Sequence, residues 1–177
     1  DKSYIGGWDK RVQSLCNVIN SSKDMYTTSS CSGRVILKQL NIEKQQNVFL
    51  FTSHDLVSFD EVQFCIENIE TQNFPLELLQ ESLILHVAVR DIEKAIDFIS
   101  IAKQSSCNQC GIISVKNWGV IVEIICDIKL QSLILSKDFF ENNQEYFEEI
   151  IFIMNDNLKN NWEIISKLKT NLEIKLD

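Results

Sequence analysis

The strand-like segments of this chain come in consecutive groups, and this grouping is the feature that most constrains its fold. Hydrophobic periodicity over the 177 residues predicts the element order α-β-β-β-α-β-α-β-β-β-α. Strands that follow one another directly are typical of α+β proteins, whereas α/β proteins alternate strand and helix. We therefore expect one α+β domain over residues 1–177, with a mixed β-sheet of about six or seven strands covered by helices on one side.

The individual elements are predicted from the spacing of apolar residues and from cap and turn residues. In chain order they are a helix over 8–22, strands Tyr26–Ser30, Arg34–Leu40 and Asn47–Ser53, a helix from Ser58 to about Glu70, a strand over Glu77–Val89, a helix capped by Asp91, and strands Gly111–Val115, Val120–Ile128 and Gln131–Leu135. The last three strands are expected to form a meander. The first two are expected to flank a turn at Cys31-Ser32-Gly33.

Two of the helices carry more specific expectations. The inner face of the helix after Asp91 is predicted to consist of Ile92, Ala95, Ile96, Ile99 and Ala102. A final helical stretch opens at Asp138 and reaches almost to the C-terminus, as a long C-terminal helical segment. Because this stretch is long for one globular helix, we expect a break within Asn155–Asn161.

Composition narrows the compartment and the partners. Apolar runs stay well below the ~18 residues that a membrane span needs, so no membrane partner is expected. Six dispersed cysteines without a secretory signal favour free thiols in the cytosol or nucleus, and we expect a cytoplasmic protein. The net charge is −8, but residues 1–40 carry six basic against three acidic side chains. This asymmetry is compatible with one basic face on an acidic body.

The most unusual local sequence is Tyr26–Arg34, which reads YTTSSCSGR. Its seven successive small or hydroxylated residues supply little core, but they offer hydroxyls, backbone N–H groups and close approach to a ligand. Arg34 adds a planar donor fork that suits phosphate or carboxylate. The same residues would also suit a plain polar hairpin. Cys31 has no histidine near it in sequence, and a free cysteine is more often a small buried residue than a nucleophile.

Few other residues can carry chemistry. The two histidines, His54 and His86, each end an apolar strand. There a histidine can act as a base or an orienting donor, or it can be a satisfied, partly buried side chain. Cys107 and Cys110 have the CxxC spacing of zinc and redox sites, but no second pair exists, so no metal is expected. The sequence contains neither a Rossmann dinucleotide loop nor a P-loop.

A larger set of residues follows one order along nearly the whole chain. It consists of Asp1-Lys2-Ser3 with Gly6 and Asp9, Ile19-Asn20, Tyr26–Arg34, Phe51–Asp55, Ile84–Val87 with Arg90-Asp91, Gly111-Ile112, Val122–Ile124, Met154-Asn155 and Asn161. In this order the chain resembles the S-adenosylmethionine-dependent methyltransferases of wybutosine biosynthesis, the family of the third tRNA wybutosine-synthesizing protein. The string from Thr27 to Arg34 is the most specific part of the resemblance.

The resemblance implies methyl transfer from S-adenosylmethionine to the N-4 nitrogen of the tricyclic demethylwyosine precursor, next to the anticodon of phenylalanine tRNA. It also implies an α+β fold outside the Rossmann methyltransferases. On the matching residues it implies a ligand pocket of Ser29, Ser30, Cys31, Ser32, Gly33, Arg34, Ser53, His54 and His86, with Lys2, Ser3, Asp9 and Arg90 as further candidates. Within this set we assign catalytic roles to His54, His86 and Arg34, cofactor binding to Ser29, Ser30, Cys31, Ser32 and Gly33, and RNA binding to Lys2, Ser3 and Arg90. We add Lys10 and Arg11, because the basic N-terminal third can approach the phosphates of an anticodon loop.

The mechanistic hypothesis assigns one task to each group of residues. The Ser29–Gly33 turn presents backbone N–H groups and hydroxyls to one ligand, and Arg34 pairs with a phosphate or carboxylate of that ligand. His54 or His86 orients the base or accepts the proton that methylation releases. A non-catalytic RNA- or nucleotide-binding module that kept the fold is the alternative. A third reading is an acidic interaction domain of a larger modification enzyme, because the sequence lacks an initiator Met.

Overall fold

Eleven helices and strands make up the described part of the chain, which is residues 9–40, 48–70, 74–126 and 128–176 of a computed structural model. In chain order they are α1 (Lys10–Ser21), β1 (Met25–Gln39), β2 (Val48–Ser53), α2 (Phe59–Glu67), β3 (Leu76–Val89), α3 (Ile92–Gln104), β4 (Gln109–Lys116), β5 (Gly119–Ile125), β6 (Leu130–Ile134), α4 (Lys137–Asn142) and α5 (Gln144–Leu176). The α+β class and the long C-terminal helix are confirmed. None of the described helices is long and apolar enough to cross a membrane.

The strands form one six-stranded sheet with the order β2-β1-β3-β5-β4, and β6 pairs with β3 outside this path. The pairings of β1 with β2, β3 with β5, β3 with β6 and β4 with β5 are all antiparallel, so the sheet is antiparallel where a mixed sheet was expected. Of the meander expected for the last three strands, the pairing of β4 with β5 is confirmed, but the placement of β6 beside β5 is wrong. The long strand β3 pairs with β5 through residues 84–89 and with β6 through residues 76–80.

Strand β1 is continuous over 15 residues, so the expected turn at Cys31-Ser32-Gly33 is wrong. Gly33 has a φ of 93°, which glycine adopts without steric cost, and the strand continues past it to Gln39. Small hydroxylated residues are typical of turns because their side chains bond to their own backbone. Here the backbone groups of Ser32 are bonded by side chains of other elements, so the extended conformation persists.

The described residues divide into two compact units. The first lies within Asp1–Ser32, Ser82–Asp127 and Asn160–Asp177, and the second within Gly33–Glu81 and Ile128–Lys159. In the first unit, one hydrophobic core joins α1, α3 and the C-terminal part of α5 to one face of β3 and β5. On β3 this face is formed by Leu83, Leu85, Val87 and Val89. Helices therefore cover that face of the strands, and the alternate residues, His86 among them, point to the other face.

The predicted inner face of α3 is partly wrong. Ala95 and Ala102 are buried as expected, but Ile92 is 50% and Ile96 57% exposed. The helix instead buries Phe98 and Ile101. Burying the larger aromatic ring removes more apolar surface from water, so the packed face is rotated toward Phe98.

The second unit contains α2, α4 and an aromatic cluster. The capping box of Ser58 and Glu61 opens α2, as the sequence predicts. The rings of Phe59 and Phe140 stack with centroids 5.3 Å apart, and Phe140 packs against Phe147 at 4.7 Å. These contacts bury Phe140 and Phe147 and hold α4 and the start of α5 together.

Helix α5 is continuous over 33 residues, so the break expected within Asn155–Asn161 is wrong. The interruption lies earlier, at Asn143 between α4 and α5. Asparagine weakens a helix when its side chain competes for nearby backbone groups. The amides of Asn155 and Asn161 instead bond to the backbone of segments distant in sequence, which leaves the helix intact.

Candidate functional site

The serine-rich part of β1 in the first unit runs from the surface into the core. Ser29 is exposed, Ser30 and Cys31 are half-buried, and Ser32 is fully buried. Upstream, Asn20 on α1 accepts hydrogen bonds from the N–H of Thr27 at 2.7 Å and from its hydroxyl at 3.2 Å. Helix α1 thereby fixes the position at which the hydroxylated segment begins.

The backbone of Ser32 is held on one side by Asp9. This residue caps α1, with Oδ1 accepting from the N–H of Arg11 at 3.1 Å. Its other oxygen, Oδ2, accepts from the N–H of Ser32 at 2.8 Å. The hypothesis that this N–H faces a ligand is therefore wrong at Ser32, because a charge-assisted bond within the protein already uses it.

The other side of Ser32 is held by Asn161 on α5. The Nδ2 group of Asn161 donates to the carbonyl of Ser32, and its Oδ1 accepts from the N–H of Leu83 at 2.9 Å. The side chain of Asn161 is fully buried. The hydroxyl of Ser32 is buried as well, and it has no hydrogen-bond partner among the described residues.

Cys16 of α1 lies against the same strand. Burial raises the pKa of its thiol, and the nearby Asp9 carboxylate adds to this effect, whereas hydrogen bonds with the side chains of Ser30 and Thr27 oppose it. The thiol therefore stays protonated at neutral pH. It acts as a neutral hydrogen-bonding group beneath the strand and not as a nucleophile.

His86 and Glu123 form a pair on the sheet face opposite the helices. They are direct neighbours across β3 and β5, and Nε2 of His86 lies 2.7 Å from Oε2 of Glu123. Since a carboxylate accepts, Nε2 carries the proton, and the lone pair of a neutral ring is on Nδ1. On the far side of Glu123 the next residue across is Gly111 of β4, and a Cβ at this position would meet none of the described residues within 4 Å. The row of three residues is thus open at Gly111.

Thr28 ties the serine-rich strand to this pair. Its hydroxyl donates to the carbonyl of His86 at 3.2 Å. In the first unit, the structure therefore brings His86 next to the segment that contains Ser29–Ser32. Glu123 and Asn161 were part of the resemblance, but neither residue was assigned a role from the sequence.

Two further predicted site residues, Arg34 and His54, lie in the second unit. Nε of Arg34 bonds to Oε2 of Glu81 at 2.7 Å, and its guanidinium lies 5.8 Å from the ring centroid of Phe49. Nδ1 of His54 donates to the carbonyl of Gly33 at 3.1 Å. This bond sets the tautomer of the neutral ring, with its lone pair on Nε2. Glu81 is a partner that the sequence analysis missed.

The predicted RNA-binding residues are dispersed. Lys2 and Ser3 lie outside the described residues. Lys10 is exposed in the first turn of α1, and the guanidinium of Arg11 lies 3.5 Å from the ring centroid of Trp162. Arg90 is 64% exposed, and its Nη1 pairs with Oδ1 of Asp24 at 2.6 Å.

The CxxC cysteines belong to the packing of the first unit. Cys107 is fully buried, and Cys110 donates its thiol hydrogen to the Cys107 carbonyl at 3.2 Å. A hydrogen bond with the Cys126 side chain, together with burial, raises the pKa of Cys107. Burial also raises the pKa of Cys110. All six cysteines of the chain are free thiols.

The described residues form an α+β fold, and the sequence lacks the glycine-rich loop of Rossmann nucleotide-binding proteins. The chain belongs to the family described as Methyltransferase TYW3, whose model matches residues 1–174. The resemblance drawn from the sequence is confirmed, and a methyltransferase of this family requires a methyl donor.

Named relatives and solved structures agree with this family. The chain is 29% identical over 170 residues to the tRNA(Phe) 7-((3-amino-3-carboxypropyl)-4-demethylwyosine(37)-N(4))-methyltransferase of Methanocaldococcus jannaschii, which covers 93% of this chain and 86% of the relative. A solved structure of the PH1069 protein from Pyrococcus horikoshii is 28% identical, with a TM-score of 0.86 over 95% of this chain and 87% of that chain. A protein from Aeropyrum pernix, 19% identical with a TM-score of 0.80 over 94% of this chain and 98% of that one, shares the fold.

Proposed function

We propose that the chain transfers a methyl group from S-adenosylmethionine to the N-4 nitrogen of the tricyclic demethylwyosine precursor next to the anticodon of phenylalanine tRNA. The family match over residues 1–174 carries this proposal. It is supported by archaeal relatives named for this reaction, such as that of Pyrococcus furiosus at 29% identity over 95% of this chain and 86% of the relative. A cytoplasmic location is part of the proposal, because six free thiols suit a reducing compartment. Residues 1–177 are proposed to act as one domain.

The methyl donor is assigned to Ser29, Ser30, Cys31, Ser32 and Gly33. A buried hydroxyl without a partner costs free energy, and the Ser32 hydroxyl is such a group among the described residues. A ligand with several acceptor atoms would satisfy it, and S-adenosylmethionine has ribose hydroxyls and a carboxylate for this purpose. When bound, S-adenosylmethionine supplies an electrophilic methyl group on its sulfonium. The task of the protein is then to align the accepting nitrogen with that methyl group.

His86 is assigned as the group that accepts the proton released from the base. Glu123 holds Nε2–H of the ring, so Nδ1 of the neutral ring can take a proton, and the carboxylate stabilises the cation that results. In the second unit, Arg34 is assigned to a phosphate or carboxylate and His54 to orientation of the base. Glu81 and the Gly33 carbonyl fix the directions of these two side chains.

The tRNA is assigned to Lys2, Ser3, Lys10, Arg11 and Arg90. Sequence-specific RNA recognition favours unpaired loops with accessible bases, which suits the anticodon loop. Among the described basic residues, Lys10 and Arg11 follow Asp9, the residue that also holds Ser32. The start of α1 therefore links Lys10 and Arg11 to the strand assigned to the methyl donor.

Turnover tests the proposed function. The protein is incubated with S-adenosylmethionine and phenylalanine tRNA from cells blocked at this step. The tRNA is then digested, and the masses of its nucleosides are measured by mass spectrometry. A gain of one methyl group on the tricyclic base is expected, with tRNA from unblocked cells as the negative control. If S-adenosylmethionine binds but no methyl group is gained, the non-catalytic binding module replaces the enzyme. If neither is observed, the proposed reaction is wrong for this chain.

A further inference from the structure

Two asparagines of α5, six residues apart, make similar bonds to different targets. The amide of Asn155 in the second unit accepts from the N–H of Val57 at 2.9 Å and donates to the carbonyl of the same residue at 2.7 Å. The amide of Asn161 in the first unit accepts from Leu83 and donates to Ser32. Asn155 fixes one loop residue, whereas Asn161 connects two strands.

The two strands connected by Asn161 are neighbours in the sheet. Ser32 belongs to β1 and Leu83 to β3, which are adjacent in the strand order. An N–H donor on one strand and a carbonyl acceptor on the next are the groups that a ladder normally joins directly. The carboxamide of Asn161 bonds to one group of each kind, so it bridges the two strands at this point. Ser32 is therefore held by side chains, with Asp9 on its N–H and Asn161 on its carbonyl.

We propose that Asn161 is a positioning residue for the methyl-donor site. It sets the orientation of the Ser32 peptide, and through it the direction of the unpartnered Ser32 hydroxyl. This inference rests on the proposed role of Ser29–Gly33 in binding S-adenosylmethionine. A hydrogen bond from a side chain can be removed by substitution more readily than a backbone bond of the sheet. The geometry at Ser32 therefore depends on the side chain at position 161, unlike the geometry of the rest of β1.

The expected result is a change in donor binding that exceeds any loss of stability. In Asn161→Ala, two buried backbone groups lose their partner, and the Ser32 segment relaxes. The KM and the Kd for S-adenosylmethionine should rise by about 10-fold, with kcat at saturating donor changed less than about 3-fold. Asn155→Ala is the matched control, because it also removes two backbone hydrogen bonds of an α5 asparagine. It should lower the urea midpoint but leave the donor Kd at the wild-type value.

A second, isosteric variant keeps the test valid if Asn161→Ala folds poorly. In Asn161→Asp, the ionised side chain still accepts from Leu83 but cannot donate to the Ser32 carbonyl, whereas the protonated acid can donate. The ratio of the donor Kd of Asn161→Asp to the donor Kd of wild type at the same pH should therefore fall toward 1 as the pH is lowered from 8 to 5.5. Binding is measured by equilibrium dialysis of labelled S-adenosylmethionine, and folding by urea titration.

The outcomes separate this inference from the proposed function. Wild-type protein that binds no S-adenosylmethionine and transfers no methyl group overturns both. A different result overturns the positioning role alone. In that result the wild-type protein binds S-adenosylmethionine and transfers the methyl group, and the Asn161 variants bind the donor with the same Kd as Asn155→Ala. In that case Asn161 contributes to folding in the same way as Asn155.

Discussion

His86 and Glu123 face each other across β3 and β5, with Nε2 and Oε2 2.7 Å apart, on the sheet face that the helices of the first unit leave uncovered. Their side chains are 26% and 33% exposed. A pair this accessible contributes little to folding, typically below about 1 kcal/mol. The pair therefore offers a way to change chemistry without changing the fold.

Glu123→Gln should lower kcat by about 10-fold and leave the donor KM unchanged, because the ring stays in place but loses the carboxylate that stabilises its charged form. His86→Ala should lower kcat by about 100-fold or more, since the proton acceptor itself is removed. Single-turnover methylation of the tRNA measures both changes.

The control for Glu123→Gln is a carboxylate of an ion pair elsewhere on the surface. Glu173 lies 3.5 Å from Lys169 on α5, and Glu173→Gln should leave kcat, KM and stability at wild-type values. Wild-type kcat in Glu123→Gln would remove Glu123 from the mechanism and leave the proton acceptor to be sought elsewhere.

Ser32→Ala should raise the free energy of unfolding of the ligand-free protein by about 1 kcal/mol and weaken S-adenosylmethionine binding. The hydroxyl is buried without a partner among the described residues, so its removal relieves a desolvation cost in the free protein and takes a contact from the ligand. Urea titration and equilibrium dialysis measure the two effects, which have opposite signs.

Ser105→Ala is the matched control, because Ser105 is equally buried but fully bonded. Its hydroxyl donates to the carbonyl of Ile101 at 2.8 Å and accepts from Asn171 at 2.8 Å. This substitution should lower the free energy of unfolding by about 1–2 kcal/mol without a change in donor binding. If Ser32→Ala destabilised the protein as Ser105→Ala does and bound the donor normally, the Ser32 hydroxyl would have a structural role only.

Local signals predicted the elements of this fold well. The cap at Asp91, the capping box at Ser58 and the alternation along β3 concern residues close in sequence, where backbone and side-chain chemistry act directly. The pairing of β6 with β3 was missed, because it joins segments about 50 residues apart and depends on which part of a long strand is already paired.

The errors in β1 and α5 have one common cause. Serine and asparagine favour turns and helix ends only while their own backbone is their best partner. The side chain of Asn161 has a remote partner, the Ser32 carbonyl, and the Ser32 backbone is in turn held by Asn161 and Asp9. A polar residue on the apolar stripe of α5 that also contains Leu158 and Ile165 was the available signal for a buried amide. Its target on β1 could not be read from spacing.

Lys10→Ala should weaken tRNA binding and reduce the slope of log K against log salt by roughly 0.7–0.9, because each neutralised phosphate releases about that many counterions. Lys10 is exposed in the first turn of α1. The binding constant K for phenylalanine tRNA is measured at salt concentrations between about 50 and 200 mM, and log K plotted against log salt gives the slope.

Arg11 should behave differently from Lys10. Its guanidinium stacks on Trp162 at 3.5 Å, so Arg11→Ala also removes a contact worth about 0.5–1 kcal/mol of stability. Lys103→Ala on α3 removes one exposed positive charge outside the assigned tRNA surface and serves as the charge-matched control. If the salt slopes of tRNA binding in Lys10→Ala and Arg11→Ala equalled the slope in the control Lys103→Ala, the tRNA would bind at another surface.

Alkaline pH should destabilise the protein through its thiols. The pKa values of Cys16, Cys65, Cys107 and Cys110 are all raised above the ordinary value of 9.0, mainly by burial and, for Cys107, by its bond with Cys126. Above about pH 9 the unfolded chain therefore releases thiol protons that the folded chain retains. Unfolding is then coupled to proton release, and the free energy of unfolding falls as the pH rises. Below the ordinary thiol pKa both states are protonated, and this contribution to stability is complete.

Urea titrations at pH values between 7.5 and 10 measure this fall, and a serine variant at position 107 tests the contribution of the buried thiols around Cys107. Cys107→Ser has a lower stability at pH 7.5, because a hydroxyl replaces a buried thiol, but serine does not titrate in this range. The free energy of unfolding should therefore fall less between pH 8.5 and 10 in Cys107→Ser than in wild type. The difference between the two curves therefore reports Cys107 together with its neighbours Cys126 and Cys110, whose ionisation is linked to it. Parallel curves would mean that the Cys107 thiol ionises as readily in the folded as in the unfolded chain, against the burial of its side chain beside Cys126.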